Sequence, residues 1–247
     1  MKNVNDYKDE NLWLMHGDCL ERMAEIPDGS VELILCDPPY GIIAPKWDNI
    51  IDFKKLWSLI ETTRSAVGTV CIHSSQPFTT KLISSNEKNF RYVWYWNKNQ
   101  GTNFFHAKRM PIRKVEEICV FYKGYYNYQK STGHIPTNSA KGCSNGKAYH
   151  GSNKRDYEGG STERYPTNIL EFNCVDNYSR VHPSQKPVDL LEYLIKTYTN
   201  EGDTVLDFTA GSFSTGVACK NLNRKFIGIE MDEHYFEIGK NRLLKNI

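Results

Sequence analysis

Residues 204–230 read TVLDFTAGSFSTGVACKNLNRKFIGIE, and the succession of textures within them decides the fold. Thr204-Val205-Leu206 closing on Asp207 has the look of a buried strand, and a small-residue turn follows around Gly211. Residues 215–221 then take helical spacing, and Phe226-Ile227-Gly228-Ile229-Glu230 forms a second strand. Strand, turn, helix, strand is a crossover unit, which lays its two strands parallel. In such a unit a glycine lets the backbone approach a ligand, and the free N–H groups of the helix N-terminus face a carboxylate or phosphate. An acid closing the next strand, here Glu230, stands where a ribose offers its hydroxyls. Asp207, Ala210, Gly211, Ser212, Thr215 and Glu230 are therefore the candidate cradle for a nucleotide-type ligand.

Working outward, the same alternation recurs near the start of the chain. Residues 12–15, 31–36, 68–73, 92–96 and 118–121 read as strands, and residues 53–66 and 77–85 as helices. Past the middle of the chain, helices are expected over 187–199 and 233–244. From 123 to 180 the periodicity fades into Gly, Asn, Ser and Tyr, a long stretch of the kind that usually carries function. The expected organisation is thus two α/β parts, 1–122 and 181–247, flanking a middle region at 123–180.

The strand at 31–36 runs into Asp37-Pro38-Pro39-Tyr40, at the sheet edge where open α/β folds place their ligands. An Asp-Pro turn explains the acid and one proline but not an aromatic delivered at the same tip. Chemically, the Asp37 carboxylate and the Pro38 carbonyl accept from an exocyclic amino group, while Tyr40 offers a ring face to a flat base. These four residues are the candidate catalytic set.

Composition limits the alternatives. The 247 residues are 39% hydrophobic and 24% charged, which suits an ordinary globular chain with a core of its own. Thirty-one Lys and Arg against 29 Asp and Glu leave a net charge of +2, so a nucleic-acid face must come from local clustering. Residues 97–114 supply one, with Lys98, Lys108, Arg109, Arg113 and Lys114 and no acid. Lys147 and Arg155 contribute another in the middle region, among Asn and Ser suited to reading base edges. Seven scattered cysteines without a C-x-x-C pair favour reduced thiols and no metal. No apolar run has the length of a membrane span, and the polar start is unlike a signal peptide, so a cytoplasmic location is expected.

These segments resemble the amino-methylating DNA methyltransferases of the beta class. The resemblance is carried by Leu14-Met15-His16-Gly17-Asp18-Cys19-Leu20, Asp37-Pro38-Pro39-Tyr40, Ser75-Gln76-Pro77-Phe78, Glu117 to Phe121, His182-Pro183-Ser184-Gln185-Lys186-Pro187, the 207–216 turn and Gly228-Ile229-Glu230. It implies a Rossmann-like, mostly parallel sheet with helices on both faces, a permuted order with the catalytic half first, and an inserted target-recognition lobe. It also implies S-adenosylmethionine as cofactor, double-stranded DNA as partner, and transfer to adenine N6 after base flipping, with a homodimer left open. By the same resemblance Asp18 lies at the cofactor's adenine, Glu230 at its ribose, and Lys186 and Gly211 at its methionine end, with Cys19 also counted among the cofactor-binding residues. Transfer to cytosine N4 is the neighbouring alternative.

The family pattern has Gly-Ser-Gly where this chain has Gly211-Ser212-Phe213. Either Phe213 points away and packs the helix, or it crowds the cofactor and leaves a catalytically impaired DNA-binding relative. Cys36 is read as a strand residue and not a nucleophile, because the Pro-Cys motif of cytosine C5 enzymes is absent.

Overall fold

The apolar runs pair into one nine-stranded sheet in the computed structural model, which describes residues 6–41, 49–102, 104–136, 160–176 and 178–245. Its strands are β1 (Tyr7–Lys8), β2 (Leu12–His16), β3 (Val31–Cys36), β4 (Arg64–Ser74), β5 (Phe90–Thr102), β6 (Arg113–Phe121), β7 (Ile169–Phe172), β8 (Thr204–Asp207) and β9 (Lys225–Glu230). The helices are α1 (Cys19–Arg22), α2 (Phe53–Thr63), α3 (Phe78–Ser85), α4 (Val188–Tyr198), α5 (Ser214–Asn221) and α6 (Glu233–Leu244). The spatial order is β1-β2-β9-β8-β3-β4-β6-β5-β7. Strands β2, β9, β8, β3 and β4 run parallel, while β6 is antiparallel to both β4 and β5.

Strand alternation assigns each face its own core. Leu33 and Leu35 of β3 and Val205 of β8 pack with Leu190, Leu194 and Ile195 of α4 and Phe236 of α6. Ile34 and Cys36 of β3 and Leu206 of β8 point the other way, toward Leu56 and Ile60 of α2 and Phe78 and Leu82 of α3. Both faces of the central strands are therefore covered, which explains their uninterrupted apolar runs. Truncating one of these side chains, Ile34→Ala for instance, costs about 2–5 kcal/mol through lost burial and the cavity left behind.

Strand β8 proceeds through α5 to β9 on one side, and β3 proceeds through α2 to β4 on the other. The sheet thus reverses its winding between the adjacent parallel strands β8 and β3, paired Leu33 with Val205 and Ile34 with Leu206. Ligands of open α/β sheets bind in the crevice outside the carboxyl ends at such a point.

The structure departs from the expectation in several elements. Helix α2 ends at Thr63, and residues 64–66 already belong to β4, because no Gly or Pro separates helix from strand. Strands β5 and β6 extend into the polar stretch between them, so Arg113 and Lys114 lie on a strand and not in a loop. Strand β7, inside the stretch expected as the middle region, pairs parallel with β5 from Tyr95–Ile169 to Lys98–Phe172. The chain separates into two units, residues 1–127 with 168–247 and residues 128–167. In the second, Ser131 and Arg164 form an antiparallel bridge, Lys130 meets Glu163 at 2.7 Å, and the rings of Tyr128 and Tyr165 lie 5.2 Å apart.

Candidate active site

On the β8 side, the buried Asp207 accepts from the Thr215 hydroxyl at 2.6 Å and the Thr209 amide at 3.1 Å. Burial outweighs those two bonds and pushes its carboxyl up to about 7. Gly211 turns the chain with φ 52°, a left-handed value that favours glycine, and the ring of His182 lies against it. The Gly211 amide donates to Glu230 at 2.7 Å, and the second Glu230 oxygen accepts from the Asp232 amide at 2.8 Å. Burial raises the Glu230 carboxyl above its usual range despite these donors.

Strand β2 lies beside β9 with His16 opposite Glu230, and the Gly17 amide donates to the Glu230 carbonyl at 3.0 Å. That pairing carries Asp18, the N-cap of α1, and Cys19 to the same edge; Asp18 accepts from the Leu20 amide at 2.8 Å. Burial first, then the neighbouring Asp18, pushes the Cys19 thiol up to about 12, so it is an uncharged neighbour of the cradle. Ala210 and Ser212 are buried in the turn. The structure therefore brings Asp18, Cys19, Asp207, Ala210, Gly211, Ser212, Thr215 and Glu230 to adjacent strand tips.

Phe213 settles the alternative raised by the sequence. Its ring is fully buried, edge-on to Phe226 and Phe236 at 6.0 and 5.8 Å. It points away from the turn and packs α5 against α6, the first of the two alternatives that the sequence left open. Gly239 of α6 makes room: a Cβ there would stand 2.7 Å from the Phe213 ring.

On the β3 side, Asp37 accepts from the Tyr40 hydroxyl at 2.6 Å through one oxygen and from the Lys186 ammonium at 2.5 Å through the other. The Tyr40 ring stacks on Phe78, with centroids 5.0 Å apart and planes inclined by 29°. Pro38 and Pro39 hold the connection at the strand tip. Lys186 also lies 3.4 Å from Glu116, whose other oxygen accepts from Lys98 at 2.9 Å. Acid and base thus alternate from Asp37 through Lys186 and Glu116 to Lys98. Burial works against the charges of Glu116 and Lys186, but their partners prevail. Lys186 and Lys98 hold Glu116 down to about 2, and Asp37 and Glu116 raise Lys186 above the usual lysine range.

This chain of charges corrects one sequence expectation. Lys98, read as a DNA contact, is 3% exposed and bonded to Glu116, because it faces inward from β5. Lys186, expected at the methionine end of a cofactor, has its ammonium on Asp37. Of the other basic residues, Lys108, Arg109 and Lys114 are exposed, and Arg113 donates to Ser75 at 2.9 Å. Lys147 and Arg155 lie outside the described residues. Sequence reasoning missed Glu116, Phe78 as the platform for Tyr40, and His73. The buried His73 ring has no hydrogen-bond partner among the described residues; burial, then Lys186, lowers it to about 4 and keeps it neutral. The one signal for Glu116 was an acid pair, Glu116-Glu117, at the mouth of an apolar strand.

A doubly wound sheet with an acid-lined turn on one side of its switch point and an Asp-Pro-Pro-Tyr tip on the other is the architecture of an α/β enzyme with its crevice between those two tips. Residues 31–241 match the family model described as DNA methylase, and the chain belongs to that family. It is 31% identical to the DNA adenine methyltransferase YhdJ of Escherichia coli K12, over 96% of this chain and 84% of the relative. It is 27% identical to the type II methyltransferase M2.LlaDCHI of Lactococcus lactis subsp. cremoris, over 97% of this chain and 91% of that one. In fold it is similar to a solved M1.HpyAVI–SAM complex, with TM-score 0.64 and 24% identity over 94% of this chain and 99% of that one. The PvuII DNA methyltransferase, named as cytosine-N4-specific, superimposes with TM-score 0.71 and 18% identity over 97% of this chain and 89% of that one.

Proposed function

We propose that this DNA methylase is a site-specific enzyme that transfers a methyl group from S-adenosylmethionine to the exocyclic N6 of adenine. The observation that carries the reading is the placement of Asp37 and Tyr40 at the tip of β3 beside the Asp207–Gly211 turn at the tip of β8, across one switch point. The relative named as a DNA adenine methyltransferase supports the choice of base.

The cradle suits the cofactor. Glu230 accepts from the Gly211 and Asp232 amides, one through each oxygen, and a carboxylate has about four acceptor positions in all, which leaves capacity for a ribose hydroxyl. Asp18 and Cys19 would border the adenine, and Ala210, Gly211, Ser212 and Thr215 the methionine part. When bound, S-adenosylmethionine supplies an electrophilic methyl on a sulfonium, a good leaving group.

The residues of the chain then have to position an amine. A target adenine turned out of the duplex stacks on Tyr40, whose own ring is braced by Phe78. Its amino hydrogens go to Asp37 and the Pro38 carbonyl, which holds the nitrogen lone pair out of conjugation with the base. Lys186 fixes the Asp37 carboxylate in the orientation that this requires. Positioning of this kind is worth up to about 7–11 kcal/mol of barrier. The middle region, 123–180, is read as the target-recognition part, supported by its break in periodicity and by the separate unit at 128–167. Lys108, Arg109, Arg113 and Lys114 are read as phosphate contacts.

Two variants test the reading in one experiment. Asp37→Ala abolishes transfer of labelled methyl to unmodified DNA while cofactor affinity, read by calorimetry, stays within a few-fold. Glu230→Ala weakens cofactor binding, since each charged hydrogen bond lost there is worth about 1.5–3 kcal/mol. Near-normal turnover in Asp37→Ala, or unchanged affinity in Glu230→Ala, removes that residue from the site.

A further inference from the structure

We propose that the tip of the β5–β6 hairpin is a wedge, with Phe104 and Phe105 entering the base stack of the duplex where the target base leaves it. The proposal rests on the reading of the chain as a base-flipping DNA methyltransferase and adds the group that occupies the gap. Its first support is exposure. Phe105 is 100% exposed and Phe104 76%, side by side at the end of a hairpin whose other end packs its Ile118 and Val120 in the core. Burying one phenyl side chain is worth about 1.5–3 kcal/mol, and the free protein leaves both in water.

The second support is position. Cys36 of β3 is level with Ile72 of β4, and His73 with Ile118 of β6, which sets Asp37 level with Ile118. From Ile118 back to Arg113 the hairpin continues five residues past that level, about 17 Å at the antiparallel rise. Phe104 and Phe105 lie beyond Arg113, on the side where a duplex presenting a base to Asp37 has to lie. The outer end of this extension is tied back by the bond from the Arg113 guanidinium to the Ser75 hydroxyl. Its tip is closed on itself by bonds from the Ala107 amide to Phe104 and from the Arg109 amide to His106, at 3.0 and 2.8 Å. The phenyl rings are thus presented on a shaped turn.

The third support is charge. No acid occurs from 97 to 114, and Lys108 and Arg109 follow the phenyl pair in the same turn, both exposed. An apolar pair with cations beside it fits a polyanion with an apolar interior, which is stacked DNA. Opening a base step costs a few kcal/mol, and stacking an aromatic side chain on a base returns about 1–3 kcal/mol per base. Two phenyl rings therefore offset much of the cost of opening.

Side chains that enter a stack unwind it, and that readout needs no knowledge of the recognition site. Relaxed plasmid is saturated with protein, treated with topoisomerase I, deproteinised, and its linking number measured; adenine methylation of the same plasmid is scored separately. Wild type lowers the linking number. The doubly substituted Phe104→Ala/Phe105→Ala protein binds within about three-fold of wild type, because its phosphate contacts remain, yet leaves the linking number at the protein-free value. Phe105→Trp keeps the shift. Unwinding without methylation upholds the wedge and defeats the catalytic reading; methylation by a wild type that does not unwind does the reverse. An unwinding shift undiminished in the double variant overturns the proposal. So does sedimentation showing that the phenyl pair joins two copies of the chain, dissolved by the substitution with unwinding intact.

Discussion

Phe213 holds a left-handed backbone, φ 56°, that glycine adopts freely and a phenylalanine adopts at about 1–2 kcal/mol. Phe213→Gly relieves that strain and empties a packed site between Phe226 and Phe236, which costs about 3–5 kcal/mol for a phenyl ring. The packing term is the larger, so the variant unfolds at lower urea, by roughly 2 kcal/mol. Gly239→Ala is destabilising as well. An alanine inside a helix is ordinarily worth about 1 kcal/mol over glycine, but here its Cβ meets the Phe213 ring at 2.7 Å. A rise in the urea midpoint for either variant contradicts this packing. Two carboxyls give the stability opposite slopes in pH. Glu116 lies below its ordinary 4.5, at about 2, so its contribution is present above pH 4.5 and is lost as the pH falls toward 2. Asp207 lies above its ordinary 3.8, at about 7, so the unfolded chain gives up this proton first, and stability falls as the pH rises from about 4 to 7. Urea midpoints measured against pH show the second slope flattened in Asp207→Asn. An unaltered slope would contradict the assignment.

At the scale of elements, β3 and β8 were readable because both of their faces are covered and their residues run uninterrupted in Val, Ile and Leu. The outer parts of β5 and β6 were not. Residues 113–115 are Arg, Lys and Val, all three exposed, so no alternation of apolar and polar positions marks them as strand. Strand β7 has four residues and follows a stretch without periodicity, and only its pairing with β5 makes it a strand. The hairpin carries its own prediction. Each phosphate contact contributes about 0.9 to the slope of log affinity against log salt, so Lys108→Ala/Arg109→Ala should lower that slope by nearly 2 on any duplex. Equal weakening at every salt concentration would remove both residues from the phosphate contacts. The equivalent substitution of Lys98 tests something else, because its ammonium is already committed to Glu116.

At the scale of the whole molecule, the two halves of the site come from opposite ends of the chain, with Lys186 149 residues from the Asp37 that it binds. Motifs confined to one strand tip, Asp37 to Tyr40 and Asp207 to Gly211, were legible because their chemistry is local. The run of charges through Lys186, Glu116 and Lys98 was not, since no spacing in the sequence says that three distant strands and loops converge. That convergence is the physical content of the permuted order: β8 and β3 are neighbours in the sheet, and the Thr204 amide donates to the Glu32 carboxylate from 172 positions away along the chain. A net charge of +2 over 247 residues further confines DNA affinity to local surfaces. The central claim is that this crevice methylates the amino group of adenine. Unmodified DNA incubated with the protein and methyl-labelled S-adenosylmethionine, digested to nucleosides and analysed by mass, tests it most directly. The label is expected on N6-methyldeoxyadenosine; label on N4-methyldeoxycytidine with unmodified adenine, or no label on DNA at all, would contradict adenine methylation by this crevice.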